Sequence, residues 1–374
     1  MDQAVWRRRE FLASVGVAAY AGIELSDLAH GAANDGKGKR IIRTVLKDID
    51  PQVISGASLM HEHLGAGRRP PPRNGEPSDA PPTSPTEDAA WMEVELKAAK
   101  EAGVGCIVSA STGLTNPLVL PYLTKLSEAT GVHLVNATAY YTKQTYPKDL
   151  ANQSEDEIAD GLVQSAKGGR IGAFGEFGVA NGEADMDPLE KKVFRAAGKA
   201  HLRTGLPIFT HNNYSTGPDV PADMALRQLD QLESVGVHPE SVALGHICCH
   251  DDPKAEIAKG IAKRGAFVAF DRVTRQQQWV SDEHRLTMIL AFLDAGHIDK
   301  LLLSSDYIGR INTGVGEISV YPGPLHAREG GPGYARPLKL FVPLMRKAGI
   351  KDKAIRKITQ DNPRRFLSFI PKEA

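Results

Sequence analysis

His61 and His63 stand two residues apart in the run Ser58-Leu59-Met60-His61-Glu62-His63-Leu64. Imidazoles hold metals and move protons, and their spacing says what geometry they can share. The residues before them, 53–60, are mostly apolar and read as a short strand ending in the histidines. Side chains at i and i+2 of a strand point to one face. Both rings can therefore aim at one point, as two ligands of one ion must. A helix would place such a pair at i and i+4, so this spacing specifies a strand.

Four more candidate ligands accompany apolar runs further along. The run 170–178 carries Glu176, 206–211 ends on His211, 241–246 on His246, and 300–306 on Asp306. Chance would scatter such residues over strands and helices alike. Six metal-competent side chains at strand ends argue that those ends meet.

The elements that must position them alternate. Strands are predicted near 55–61, 104–110, 133–140, 171–176, 206–211, 241–247, 266–271 and 300–306. Helices are predicted over 88–102, 117–130, 154–167, 188–204, 222–235, 254–264, 281–295 and 336–348. Parallel strands covered on both faces read as near-continuous apolar runs. Eight of them alternating with eight helices predict an α/β fold, a (β/α)8 TIM barrel, whose functional groups collect at the C-terminal ends of the strands. All six candidates fall there. A doubly wound sheet also alternates, but gives no reason to gather ligands from the first, fourth, fifth, sixth and eighth strands.

The constellation resembles the amidohydrolase superfamily, most closely its phosphotriesterase-like branch. The matching segments are Leu59-Met60-His61-Glu62-His63-Leu64, Thr210-His211, Gly245-His246, Ser304-Ser305-Asp306 and the tail Thr359-Gln360-Asp361-Asn362-Pro363-Arg364-Arg365-Phe366. The resemblance implies two divalent metal ions per chain. His61, His63 and Asp306 would hold the buried ion, His211 and His246 the more exposed one, and a carboxylate from the fourth strand would bridge them. Many relatives use a carboxylated lysine as the bridge. This chain offers Glu176, the same bidentate group on a shorter arm. TatD-like nucleases also place a glutamate there, within Gly-Glu-x-Gly, so the substitution keeps the metals and opens the substrate class.

Two further segments resemble lactone-hydrolysing relatives. Thr138-Ala139-Tyr140-Tyr141 matches the place where those enzymes set a tyrosine over the metals, with loop packing as the alternative for Tyr141. Phe270-Asp271-Arg272 matches their arginine-bearing turn, with a salt bridge from Arg272 to Asp271 or another carboxylate as the alternative. The expected catalytic set is Asp306, Arg272 and Tyr141. Glu62, between two ligands, faces away from the barrel interior and reads as a salt-bridge residue.

Two ions about 3.5–4 Å apart lower the pKa of a shared water and polarise a carbonyl or phosphoryl oxygen. Histidine and carboxylate donors suit zinc, while cobalt, manganese and iron are compatible by geometry. Asp306, ligating through one oxygen, could use the other to accept a proton as general base. The expected reaction is attack by metal-bridging hydroxide on a lactone, carboxylic ester or phosphoester. The alternatives are a TatD-like nuclease and a non-catalytic metal-stabilised binding protein.

The 374 residues carry 45 Lys and Arg against 45 Asp and Glu, which leaves no electrostatic footprint for nucleic acid or an anionic membrane. Three cysteines, two of them adjacent, imply no disulfide framework. Arg8-Arg9-Glu10-Phe11-Leu12 matches the twin-arginine pattern and precedes a modestly apolar stretch too short to span a bilayer. Residues 1–33 are therefore expected to be an export signal and 40–374 the barrel. The expected location is the periplasm or outside the cell. Expected partners are a small-molecule ester, lactone or phosphoester and the twin-arginine export machinery, with no nucleic acid and no stable membrane association; a homodimer is left open. Seven prolines within 65–85, following the first strand, suggest a lid over the active face; the loop 307–334 follows the eighth strand on that face, Trp279 offers an apolar wall with surface packing as the alternative, and together they suggest a pocket for a small, partly apolar substrate.

Overall fold

The computed structural model describes residues 38–64, 89–110, 112–114, 117–179, 185–212, 223–274, 280–307 and 323–372. The predicted export signal, the proline-rich lid 65–85, Trp279 and residues 308–322 lie outside the described residues. Lys39–Ala374 form one compact unit.

Eight parallel strands pair in chain order: β1 (Ala57–Glu62), β2 (Val104–Ser109), β3 (His133–Thr138), β4 (Ile171–Gly178), β5 (Ile208–His211), β6 (Val242–Leu244), β7 (Phe267–Phe270) and β8 (Leu301–Leu303). Helices lie between them, as the alternating pattern predicts. Cys106, Val108, Val135, Ala137, Ala173, Phe209, Ala243, Ala269 and Leu302 belong to one apolar cluster inside the barrel. Their neighbours Ile107 and Leu134 pack instead under the helices, the period of two that a strand imposes.

The helices start and stop for local reasons. Ser154 accepts from the Glu157 N–H while the Glu157 carboxylate reaches back to the Ser154 N–H, which caps Glu155–Gly169. Asp187 does the same with Glu190 ahead of Pro188–Thr204, where Pro188 gives up no needed N–H. Gly205, at φ 80°, ends that helix in the left-handed turn glycine adopts without steric cost.

Several strands are shorter than expected, and at two of them the difference moves a predicted ligand. β6 stops at Leu244 and β8 at Leu303, so His246 and Asp306 stand beyond the strands rather than on them. Both have left-handed backbones, with φ 57° and 51°. Gly245 makes the first turn feasible, because a Cβ there would sit 1.9 Å from the Thr210 carbonyl oxygen of β5. β4 instead runs on past Glu176 to Gly178.

The seam between β8 and β1 is not a regular ladder. It is closed just above β8 by the site's own backbone. Asp306 N–H donates to His61 O (3.0 Å), and His63 N–H donates to Tyr307 O (2.9 Å). His61 N–H donates to Ser304 Oγ (3.0 Å).

Candidate active site

At this end of the barrel the six predicted ligands converge. Glu176 stands in the middle, 1% exposed. Its Oε1 lies 2.5 Å from His211 Nδ1, 3.2 Å from His61 Nε2 and 3.3 Å from His246 Nε2. Its Oε2 lies 3.7 Å from His63 Nε2. Asp306 Oδ1 is 2.9 Å from His63 Nε2 and 3.7 Å from His61 Nε2. His61, His63 and Asp306 thus offer one group of donor atoms, and Glu176, His211 and His246 another, each within 4.8 Å. The strand-end spacing read from the sequence therefore brings all six together.

Asp271, immediately after β7, turns two of the rings. Its Oδ2 accepts from His61 Nδ1 (2.9 Å), and its Oδ1 from His246 Nδ1 (2.9 Å) and the His246 backbone N–H (2.8 Å). A proton held on Nδ1 leaves Nε2 as the lone-pair atom. Both Nε2 atoms face the centre. An imidazole oriented by a carboxylate on its far nitrogen is the usual arrangement behind a metal.

The donor set fits divalent metal. His61 Nε2 and Glu176 Oε2 are buried without a hydrogen bond, an arrangement that costs free energy unless something else satisfies them. Burial opposes ionisation of Glu176, but the His61 charge and the hydrogen bonds from His211 and His246 outweigh it and hold the carboxyl well below its usual range. Burial also works against the His61 cation, yet Glu176 and Asp271 raise its pKa well above the ordinary value. Burial pushes His211 down to about 4, which keeps a lone pair available at neutral pH. A divalent cation would offset the same carboxylates that otherwise draw a proton to His61.

Arg272 and Tyr141 reach the same place. Arg272 is 2% exposed and donates through Nε to Asp306 Oδ2 at 2.7 Å. The alternative of pairing with Asp271 does not hold, since the His61 and His246 rings occupy that carboxylate. The second oxygen of Asp306, expected to be open, is thus engaged by a guanidinium. Tyr141 sets its hydroxyl 3.3 Å from the His211 ring nitrogens, with ring centroids 4.8 Å apart.

Two residues differ from the sequence expectation. The sequence offers Asp271 only as a candidate partner of Arg272, although it too is a carboxylate at a strand's C-terminal end, the signal that marks the ligands. Glu62 is not a salt-bridge residue. It is fully buried and accepts from Ser304, Ser305 and Tyr307. Burial pushes its carboxyl up to about 7 against those hydrogen bonds. All three cysteines are buried thiols. No helix among the described residues is long and apolar enough to cross a membrane.

An eight-stranded parallel barrel with histidines and carboxylates at its C-terminal mouth defines a metal-dependent hydrolase of ester-type bonds. Residues 41–367 match the model of the Phosphotriesterase family, and the chain belongs to that family. The phosphotriesterase homology protein of Escherichia coli is 31% identical over 66% of this chain and 78% of its own. Its crystal structure, with phosphate in the active site, superposes with a TM-score of 0.68 over 84% of this chain and 99% of that one, at 26% identity. An aryldialkylphosphatase of Saccharolobus solfataricus is 30% identical over 73% of this chain and 84% of its own. An N-acetyltaurine hydrolase of Tetraodon nigroviridis is 26% identical over 88% of this chain and 98% of its own.

Proposed function

We propose that the chain is a dinuclear-metal hydrolase that attacks a lactone, carboxylic ester or phosphoester with metal-activated hydroxide. The observation that carries this reading is the placement of Glu176, whose two oxygens lie between the His61/His63/Asp306 group and the His211/His246 pair. A carboxylate so placed would join two metal seats. Two divalent ions, zinc by the donor chemistry, would lower the pKa of a shared water and polarise the substrate's carbonyl or phosphoryl oxygen.

The chain's own residues do the rest. Asp306, whose Oδ2 is shared with Arg272, would be the general base that takes the proton from the attacking water. Arg272 keeps its carboxylate in one orientation through the 2.7 Å bond to Oδ2 and favours its ionised form. Tyr141, buried over His211, places a hydroxyl where a substrate oxygen can accept from it. Asp271 keeps His61 and His246 in the tautomer that presents Nε2.

A second reading is hydrolysis of an N-acyl amide. It is favoured by the N-acetyltaurine hydrolase relative, which matches along nearly its full length. The test is elemental analysis of purified protein followed by turnover of an aryl ester, a lactone, a phosphotriester, an N-acyl aminosulfonate and single-stranded DNA. About two metal ions per chain with turnover of an ester or lactone supports the main reading. A metal-loaded protein that cleaves only the amide or only the DNA would replace it, and protein that takes up no divalent metal would refute it.

A further inference from the structure

Glu62 lies between two ligands but turns the other way, into the seam where β8 meets β1. Its Oε1 accepts from Ser304 Oγ (2.7 Å), Ser305 N–H (2.8 Å) and Ser305 Oγ (3.0 Å). Its Oε2 accepts from Tyr307 N–H (2.7 Å) and Ser305 Oγ (3.0 Å). The residue is 0% exposed. A carboxylate buried this completely is costly unless fully hydrogen-bonded, and an apolar seam would avoid that cost altogether. What the carboxylate gives that an apolar group cannot is a two-armed clamp.

The clamp closes on one residue. Ser305 and Tyr307 are the chain neighbours of Asp306, and Glu62 holds the N–H of each. The N–H of Asp306 itself goes to His61 O. Three successive peptides around Asp306 are therefore fixed to His61-Glu62. Asp306 needs this, because its left-handed φ of 51° is one that non-glycine residues seldom adopt and that holds only where the surroundings enforce it. The result is the 2.9 Å approach of Asp306 Oδ1 to His63 Nε2.

We propose that Glu62 is a positioning residue that pins the Asp306 turn against β1, so that His61, His63 and Asp306 form a single metal seat. The inference rests on the dinuclear-metal reading above. Without the clamp, Ser305 and Tyr307 N–H lose their acceptors, the turn relaxes, and the Asp306 carboxylate leaves His63. The His211/His246 side makes no bond to Glu62 and keeps its geometry.

The experiment is zinc binding by the full folded chain in competition with a chelator, well below the melting temperature, beside the melting curve of the metal-free protein. Glu62→Gln places an amide where Ser305 or Tyr307 N–H needs an acceptor. The expected result is a loss of about 10–100-fold in the affinity of one ion, with the other within about twofold of wild type. Wild-type affinity for both ions in Glu62→Gln, even with a lowered melting temperature, overturns the proposal and leaves Glu62 as a seam residue only. Wild-type protein that binds no zinc overturns the metal reading and this inference together. If Glu62→Gln does not fold, Glu62→Asp serves, because its carboxylate, one methylene shorter, cannot reach the Ser305 and Tyr307 N–H groups together. A severalfold loss confined to the same ion supports the proposal, and unchanged binding of both overturns it.

Discussion

Asp271→Asn probes the least anticipated part of the site with a change of one atom. Asp271 Oδ1 accepts twice from His246, through the backbone N–H and Nδ1, while Oδ2 accepts once, from His61 Nδ1. An asparagine will therefore keep its oxygen toward His246 and turn its NH2 to His61. Two donors then face each other unless the His61 proton moves to Nε2. That is the atom 3.2 Å from Glu176 Oε1 and aimed at the proposed metal seat. A protonated Nε2 has no lone pair to give, so metal can bind only after the ring flips or the amide is broken away. Loss of such an outer partner costs about 10–100-fold in metal affinity, or about 1.4–2.7 kcal/mol. The loss should fall mainly on the ion held by His61, since the His246 contacts survive. Chelator competition on the folded variant measures it, and nitrogen-15 NMR of the histidines reports the tautomer directly. Two ions bound at wild-type affinity, with His61 still protonated on Nδ1, would refute the reasoning.

Two other outcomes follow from the same geometry, and a third from the N-terminal sequence. Asp306→Asn should keep its metal yet lose about 10²–10⁴-fold in kcat, because an amide oxygen coordinates but accepts no proton; near-wild-type turnover of the loaded variant removes Asp306 as the base. Metal-free enzyme given zinc or cobalt in carbon-dioxide-free buffer should recover at the same rate with and without bicarbonate, since Glu176 already carries the carboxylate that a bridging lysine must first acquire. Faster recovery with bicarbonate would point to a lysine bridge instead. We also propose twin-arginine export, so Arg8→Lys with Arg9→Lys should leave a folded, active precursor in the cytoplasm, and undiminished export of the variant shows that the Arg8-Arg9 motif is not the signal.

The sequence by itself determined the barrel and the six converging side chains. Apolar runs of strand length mark parallel strands because both faces are buried, and alternation with amphipathic helices leaves few ways to wind them. A ligand at the end of each such run then needs no further information to be placed at the mouth. Helix bounds were legible where caps are local, as at Asp187-Pro188 and Gly205. What only the tertiary structure decided were the contacts between strands distant in the chain. Asp271 binds His61 across 210 residues and Glu62 binds Ser305 across 243, and no spacing rule links such pairs. Arg272 could pair with its neighbour Asp271 or with a remote carboxylate. Packing settled it in favour of Asp306, because two imidazoles already fill the near one. The same holds for where the strands stop. Residues 245–246 and 304–306 look like strand in composition, but the chain turns left-handed at His246 and at Asp306, and those corners aim both side chains inward.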